Sequence, residues 1–335
     1  MCTSFQLRAK DSTVVVGRTM EFPNLMDAKI TAVPRGFKSA GVGPDNSVGK
    51  TWTTKHGYVG MDAFGRADWL TDGMNEKGVY ASLLYMPGFC DYTPAAGKKA
   101  DELIAIVNAV AYVLGNCASV DEAKEAMQAV TVWPMMVPAM GFVPPAHVVL
   151  HDASGDSAVI EWVKGEMVVF DNPIGVATNC PHLDWHLLNL SNFVNLTPVN
   201  PKPITINGVT ISPLGQGPGM AGLPADISPP SRFVRATAYV AAHTEIADSA
   251  ACEMAAFHVL NNFDIPVGLV RDGEGGAVQD QTLWSTISNL TDLRYIVRGV
   301  DDPNPIAIDL ETTKFDSGDA RQVDLPTGTF ATVVL

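Results

Sequence analysis

The second residue of the chain is a cysteine that follows the initiator methionine directly. A small second residue normally permits removal of the methionine, which leaves a thiol and a free α-amine on one residue. An α-amine has a pKa of about 7.7 to 8.0, so it can accept and return a proton at neutral pH while the thiol acts as nucleophile. Cys2 is therefore a candidate nucleophile that needs no histidine as its base. The alternative is an accidental cysteine at a frayed terminus.

A β-hairpin is predicted to position this cysteine. Residues 3 to 9 and 13 to 18 carry β-branched and apolar side chains on either side of Asp11 and Ser12. The second strand runs into the string GRTMEF at 17 to 22, so Arg18 is expected to return to the neighbourhood of Cys2. A guanidinium there favours the thiolate over the thiol. A solvated charge at a strand end is the other interpretation of Arg18.

The rest of the chain predicts groups of strands that alternate with groups of helices. Helical periodicity covers 101 to 114, 120 to 130, 231 to 243 and 249 to 261. Further strands are predicted at 30 to 33, 57 to 61, 78 to 85, 147 to 151, 157 to 163, 167 to 170, 282 to 288 and 293 to 298. Short turns between them imply antiparallel pairing, and the grouping favours an α+β layered fold. The proline-rich and glycine-rich segment at 197 to 230 is interpreted as an extended loop within one domain that covers residues 1 to 335.

Composition excludes several classes of protein. The chain has 22 basic and 36 acidic residues, a formal charge of −14, so nucleic acid is not an expected partner. Hydrophobic residues make up 47% and charged residues 17%, which excludes a largely disordered chain. Prolines interrupt the most apolar stretch, at 131 to 150, so no membrane span is expected. Five cysteines without paired spacing and no signal sequence predict a cytoplasmic protein, although a secreted protein that has lost its leader would look the same.

Two further motifs carry competing interpretations. His182 and His186 lie four residues apart and could share one face of a helix as metal ligands, but no third ligand is evident. The string GPGMAG at 217 to 222 has the spacing of a dinucleotide-binding loop but lacks the strand before it and the helix after it. We therefore expect neither a metal nor an organic cofactor, and a metal protein remains a rival hypothesis.

Several strings together resemble the choloylglycine hydrolase family, which contains bile salt hydrolases and penicillin V acylases and belongs to the N-terminal nucleophile hydrolases. They are MCTSF at 1 to 5, GRTMEF at 17 to 22, DGMNEKG at 72 to 78, GVATNCPHLDWH at 175 to 186, LGQGPGMAGLPADISPPSRFVR at 214 to 235 and LNN at 260 to 262. The resemblance spans nearly the whole chain. It implies a four-layer αββα fold with largely antiparallel sheets, in which Cys2 becomes the first residue and attacks a linear amide.

The resemblance also assigns roles to individual residues. Arg18 matches the arginine beside the nucleophile, and Arg232 matches a second arginine of the site. Asn179 matches the asparagine whose side-chain amide serves the oxyanion hole, a task suited to a neutral and fixed donor. Taken alone, Asn179 is typical of a turn and Arg232 of a charged helix terminus.

At two positions, Glu21 and Tyr85, the chain departs from the commonest pattern of the family. Glu21 stands where these enzymes usually carry an aspartate that contacts the amine of the nucleophile, so the carboxylate is displaced by one methylene. The resemblance also distinguishes two groups of enzymes at the position of Tyr85: bile salt hydrolases have asparagine there, and penicillin V acylases have tyrosine. The backbone N–H of Tyr85 is expected to be the second oxyanion donor. Tyr85 therefore favours an acylase.

Apolar and methionine-rich segments resemble the pocket loops of the family and suit an acyl or aromatic group, although any one of these side chains could be ordinary core. The expected substrate-binding residues are Phe22, Met61, Phe64, Trp133, Met136, Met140 and Phe142, with Met135 in the same segment.

The sequence thus predicts an amidase that cleaves a small N-acyl amide through a thioester at Cys2. Penicillin V and N-acyl homoserine lactones are the preferred candidate substrates, and conjugated bile salts are the alternative. An inactive binding or scaffold homologue is a rival from another class, suggested by Glu21. The resemblance further implies a homotetramer assembled through a loop at about 187 to 230.

Overall fold

The computed structural model of the protein describes residues 1–24, 26–243, 245–316 and 318–329. The helices are α1 Ile106–Asn116, α2 Val120–Gln128, α3 Leu183–Asn189, α4 Pro229–Ala242 and α5 Ser249–Leu260. The strands are β1 Cys2–Arg8, β2 Val14–Phe22, β3 Lys29–Val33, β4 Lys38–Val42, β5 Val48–Thr53, β6 Tyr58–Ala63, β7 Arg66–Asn75, β8 Val79–Tyr85, β9 Leu103–Ala105, β10 Thr131–Trp133, β11 Ala146–Asp152, β12 Ser157–Val163, β13 Glu166–Asp171, β14 Val176–Ala177, β15 Ile204–Ile206, β16 Val209–Ile211, β17 Val270–Asp272, β18 Val278–Asn289, β19 Arg294–Gly299, β20 Ile306–Asp309 and β21 Arg321–Asp324.

Two antiparallel sheets form the centre of the molecule. The first has the order β14-β1-β2-β18-β19-β20, with β17 paired to β18. The second has the order β13-β12-β11-β8-β7-β6-β3-β21. Helices α4 and α5 pack on the first sheet, against β1 and β2, while α1 and α2 pack on the second, against β7 and β11. The order of layers is αββα, which confirms the predicted α+β class with largely antiparallel sheets.

The layers enclose two hydrophobic cores. One lies between the sheets and extends to α4 and α5; it includes Phe5, Val16, Met61 and Phe233. The other lies between the second sheet and the helices α1 and α2. Because a sheet covered on both faces buries both sets of side chains, every residue of a strand such as β11 is buried, without alternation.

The amino-terminal hairpin forms as predicted. Strands β1 and β2 pair so that Cys2 lies opposite Met20 and Ser4 opposite Arg18. The Asp11 side chain accepts a hydrogen bond from the backbone N–H of Thr13 in the turn, at 2.9 Å. Side chains of opposed residues and of alternate residues share a face of a sheet. Arg18 therefore lies on the same face of the hairpin as Cys2.

Several segments differ from the expectation, and three of them show why. The helix predicted at 101 to 114 begins only at Ile106, because Ala100–Glu102 forms a 3-10 turn and β9 pairs in parallel with β10. Strand β7 was not predicted, since it is buried on both faces and carries polar residues among its apolar ones. The segment at 197 to 230 is largely irregular, but it contains a small exposed hairpin of β15 and β16.

No helix in the four described ranges has both the length and the hydrophobicity required to cross a membrane.

Candidate active site

Cys2 opens β1 in an almost fully buried position, with 2% of its surface exposed. Its backbone N–H donates a hydrogen bond of 3.0 Å to Oδ1 of Asn179. The preceding Met1 extends the hairpin by one residue: its amine donates to the carbonyl of Glu21 at 2.7 Å, and the Glu21 N–H donates to the Met1 carbonyl at 3.0 Å. The nitrogen of Cys2 is thus held in a fixed place beside an amide side chain.

The Arg18 guanidinium lies behind the thiol and has no solvent exposure. Its Nη2 lies 3.8 Å from Sγ of Cys2 and 3.1 Å from Sδ of Met20. Its Nη1 donates to Asp72 on β7, and the phenol of Tyr295 on β19 donates to the other oxygen of that carboxylate. Burial alone would lower the pKa of Arg18, but the negative charge of Asp72 raises it above its ordinary value. A permanent positive charge is therefore fixed next to the sulfur.

A second buried arginine, Arg232, holds the backbone of Cys2 from the first turn of α4. Its Nη1 donates to the carbonyl of Cys2 and to the hydroxyl of Thr3, the latter at 2.8 Å. Its Nη2 donates to Oδ1 of Asn179 at 2.5 Å. Burial lowers the pKa of Arg232, and the negative charge of Glu21 offsets only part of this effect. Cys2, the Asn179 amide and Arg232 thus form one hydrogen-bonded unit.

The orientation of the Asn179 amide follows from these partners. Because Oδ1 accepts from both the Cys2 N–H and Arg232, the amide nitrogen must point the other way. There Nδ2 donates to the backbone carbonyl of Tyr85, at 2.6 Å. The amide donor therefore lies beside the backbone of the residue that ends β8.

Two histidines hold the backbone of the segment that carries Asn179. Nε2 of His147 lies 3.1 Å from the carbonyl of Thr178, and Nε2 of His186 lies 3.1 Å from the carbonyl of Asn179. Glu161, on β12, lies 3.3 Å from Nδ1 of His147. Burial lowers the pKa of His186 to about 4, so this imidazole is neutral at neutral pH and can donate one N–H to the carbonyl.

Glu21 is buried at the end of the same hairpin. Its Oε1 accepts a hydrogen bond of 3.1 Å from the hydroxyl of Thr282, which in turn accepts from the N–H of Ile265 at 2.8 Å. Its Oε2 is buried and has no hydrogen-bond partner among the described residues. Burial raises the pKa of Glu21, and the chain's amino terminus and Arg232 act in the opposite direction. An acceptor is therefore available close to the amino terminus.

A pocket opens beside Cys2. Apart from Cys2, Glu21, Thr71 and Tyr85, the side chains around it are apolar or aromatic. Phe22 and Tyr85 meet edge to face at its wall, with ring centroids 6.4 Å apart. The residues that line it are Cys2, Met20, Glu21, Phe22, Met26, Ala63, Phe64, Trp69, Leu70, Thr71, Leu83, Tyr85, Ile106, Val107, Met140, Pro144 and Ala146.

The expected substrate-binding residues are divided by the structure. Phe22, Phe64 and Met140 line the pocket. The others lie elsewhere: Met61 is buried in the core between the sheets, Trp133 donates its indole N–H to the carbonyl of Val42, Met135 is buried in the second core, and Met136 and Phe142 are exposed at the surface.

The two histidines of the rival metal hypothesis have different neighbours. His182 caps α3 and lies 2.6 Å from Glu161 through Nδ1, whereas His186 stacks on Phe233 with ring centroids 4.7 Å apart. In the part of the chain that the structure describes, no group of three or more His, Cys, Asp and Glu side chains is arranged to hold a metal ion.

Two groups of residues at the site were not predicted from the sequence: Asp72 and Tyr295, which hold Arg18, and the pocket residues Met26, Trp69 and Ile106. The only available signal for Asp72 was its position at the start of the string DGMNEKG. The pocket residues come from separate elements, and nothing in their local sequence sets them apart from core residues.

Comparison with known proteins identifies the relatives of this arrangement. The family model of linear amide C–N hydrolases, choloylglycine hydrolase family, matches residues 2–322. A bile salt hydrolase/transferase of Clostridium perfringens is 31% identical over 96% of both chains. A penicillin V acylase of Pectobacterium atrosepticum is 27% identical and covers 93% of this chain and 81% of its own.

Solved structures agree with the sequence relatives. A crystal structure of a conjugated bile acid hydrolase variant from Clostridium perfringens superimposes with a TM-score of 0.88, at 29% identity over 99% of this chain and 100% of that one. A penicillin V acylase from Agrobacterium tumefaciens gives a TM-score of 0.76, at 26% identity over 97% and 92% of the chains. The predicted resemblance is confirmed: this chain belongs to the choloylglycine hydrolase family of linear amide C–N hydrolases.

Proposed function

We propose that the protein hydrolyses an N-acyl amide with Cys2 as nucleophile, after removal of Met1. The observation that carries the proposal is the setting of Cys2: its sulfur lies 3.8 Å from a buried guanidinium, its nitrogen lies 3.0 Å from the Asn179 amide, and it borders an apolar pocket. The proposed nucleophile Cys2 thus lies next to a positive charge, an amide donor and a pocket for the acyl group.

The freed α-amine of Cys2 is the proposed general base. It takes the proton of the thiol as sulfur attacks the amide carbon, and Arg18 stabilises the thiolate character of the sulfur. The tetrahedral intermediate places its negative oxygen between Nδ2 of Asn179 and the backbone N–H of Tyr85. The proximity of Nδ2 to the Tyr85 backbone, 2.6 Å from its carbonyl, supports this pairing.

Collapse of the intermediate breaks the C–N bond and leaves the acyl group on sulfur as a thioester. The ammonium of Cys2 returns its proton to the leaving nitrogen, and the amine departs. Water then attacks the thioester with the same α-amine as base, which releases the acid and restores the thiol. Arg232 supports the site electrostatically, and Glu21 contacts or tunes the α-amine through its unpaired Oε2. No step calls for a metal or an organic cofactor.

The acyl portion of the substrate is proposed to occupy the pocket. Phe22, Phe64 and Met140 are retained as binding residues, and Met26 and Trp69 are added because they line the same space. These walls suit an aryl or alkyl group. Met61, Trp133, Met136 and Phe142 are not proposed as contacts, since they lie in the cores or at the surface.

Loss of the thiol tests the nucleophile. We expect Cys2→Ala to lower kcat/KM for any amide substrate by at least ~10³-fold, because the residue that attacks is removed. Cys252→Ala, which removes another buried free thiol in α5, should leave kcat/KM within about twofold of the wild type if the fold is retained. Equal turnover by Cys2→Ala and the wild type would refute the mechanism.

The rival hypothesis of an inactive binding or scaffold homologue makes a different prediction. It is favoured if the wild-type protein hydrolyses no amide and its Cys2 does not react with thiol-reactive substrate analogues.

The acylase assignment depends on Tyr85 and is tested with a panel of substrates. We expect release of phenoxyacetate from penicillin V, or of homoserine lactone from its N-acyl derivatives, to exceed release of glycine or taurine from conjugated bile acids. The measurement is kcat/KM for all three in parallel, with Tyr85→Asn as the comparison. Fastest release of glycine or taurine by the wild type would establish the bile salt hydrolase alternative instead.

We also propose a homotetramer that assembles through the segment at about 187 to 230. This segment exposes an unusual number of apolar side chains, which would be covered in an assembly. Light scattering should give about four times the mass of one chain, and a monomer at micromolar concentration would refute the proposal. The exposed apolar residues are Leu188, Val194, Val199, Ile204, Ile206, Val209, Ile211 and Leu214.

A further inference from the structure

We infer that the amine portion of the substrate binds where Met1 lies in this structure, and that Asp280 at this subsite selects against amine portions that carry a negative charge close to the scissile bond. The inference rests on the proposed function, because it presupposes attack by Cys2. It concerns the side of the substrate opposite the apolar pocket.

The place of the amine portion follows from the proton transfer. The leaving nitrogen receives its proton from the α-amine of Cys2, so the two nitrogens must come within hydrogen-bond distance of each other. Met1 is the residue joined to that nitrogen of Cys2 before processing. The space next to the α-amine is therefore the space that Met1 vacates.

The backbone contacts of Met1 indicate which groups fit this space. Glu21 accepts a hydrogen bond from the Met1 amine and donates one to the Met1 carbonyl, at 2.7 Å and 3.0 Å. Removal of Met1 frees one acceptor and one donor on β2. An amide group can pair with both, whereas a carboxylate can only accept.

The charge at this subsite is negative. The positive amine of Met1 lies 3.9 Å from Oδ2 of Asp280, whose side chain is only 22% exposed. In the β17 and β18 pair, Val270 is opposite Asp280 and Asp272 is opposite Val278, so both aspartates lie on one face. A second carboxylate therefore reinforces the first.

No basic residue of this strand pair shares that face. Arg271 is opposite Gln279, which puts it on the other side, and its Nε donates to the carbonyl of Gly268 at 3.2 Å.

Burial raises the pKa of the Tyr85 phenol, and Asp280 and Asp272 raise it further. The field of the two carboxylates therefore reaches the wall of the acyl pocket.

An anionic group on the first atoms of the amine portion would meet Asp280 and the Glu21 carbonyl at short range. Glycine and taurine conjugates place their charge there. The penicillin nucleus carries its carboxylate several bonds farther from the scissile nitrogen, so its penalty is smaller. Homoserine lactone and amino-acid amides carry no negative charge. The subsite therefore favours uncharged or cationic amine portions that can donate a hydrogen bond.

Three amides of one acid test the selection. The phenoxyacetyl amides of glycine, glycinamide and 1,2-diaminoethane share the acyl group and differ in the charge of the amine portion. For the wild type we expect kcat/KM for the glycinamide and diaminoethane compounds to exceed that for the glycine compound by about tenfold or more at low ionic strength. Asp280→Asn should reduce this preference to about twofold, and added salt should narrow it in the wild type.

Asp171→Asn is the matched control, since it removes one negative charge from an exposed ion pair with Lys124 on the outer helix α2. It should keep the wild-type preference. Equal rates on the glycine and glycinamide compounds in the wild type, or an unchanged preference in Asp280→Asn, would overturn this inference while hydrolysis through Cys2 stands. Hydrolysis of none of the three amides, or hydrolysis that survives Cys2→Ala, would overturn the proposed function and this inference with it.

Discussion

The pairing of Arg18 with Asp72 is the constraint on which the site depends. A buried guanidinium that is paired with a carboxylate is sensitive to the loss of that partner, since removal of one member of a buried ion pair typically costs about 3–5 kcal/mol. Asp72 belongs to the second sheet, whereas Arg18 and Tyr295 belong to the first. The ion pair therefore links the two sheets at the point where Nη2 of Arg18 approaches the sulfur of Cys2.

Arg18 and Arg232 have different roles in the site because their hydrogen-bond partners differ. Arg18 has a carboxylate partner, which raises its pKa, whereas the hydrogen bonds of Arg232 go to neutral oxygens and burial lowers its pKa. Arg232 positions its neighbours: it donates hydrogen bonds to the Cys2 carbonyl and to Oδ1 of Asn179, which fixes the orientation of the Asn179 amide. One arginine thus supplies charge to the sulfur, and the other fixes where the amide donor points.

The sequence was sufficient to predict those parts of the structure whose contacts join residues close together in the chain. The hairpin that brings Arg18 onto the face of Cys2 is continuous in sequence, so alternation and a turn predicted it correctly. The family strings placed Asn179 and Arg232, and the structure brings both to the nitrogen and carbonyl of Cys2. Asp72 lies in a strand buried on both faces, where polar and apolar residues follow no simple period.

The pocket shows where sequence reasoning fails. Its wall is assembled from β2, β7, β8, the start of α1 and the loop before β11, and an apolar side chain looks the same in a core as in a pocket wall. Trp133 and Trp69 are both aromatic residues in apolar surroundings, but of the two only Trp69 borders the pocket, because β7 runs beside β8 and its residues 69 to 71 lie in the pocket wall. Tertiary packing, not local pattern, determines this difference.

In the proposed mechanism, Cys2 supplies both the nucleophilic sulfur and the basic nitrogen. The most direct test is acid quenching of the wild-type enzyme during turnover of phenoxyacetyl glycinamide, followed by mass analysis of the amino-terminal peptide. We expect a peptide that begins at Cys2 and, while it is kept in acid, carries one phenoxyacetyl group on its first residue. An acyl group on any other residue, or acylated enzyme that still carries Met1, would contradict the mechanism.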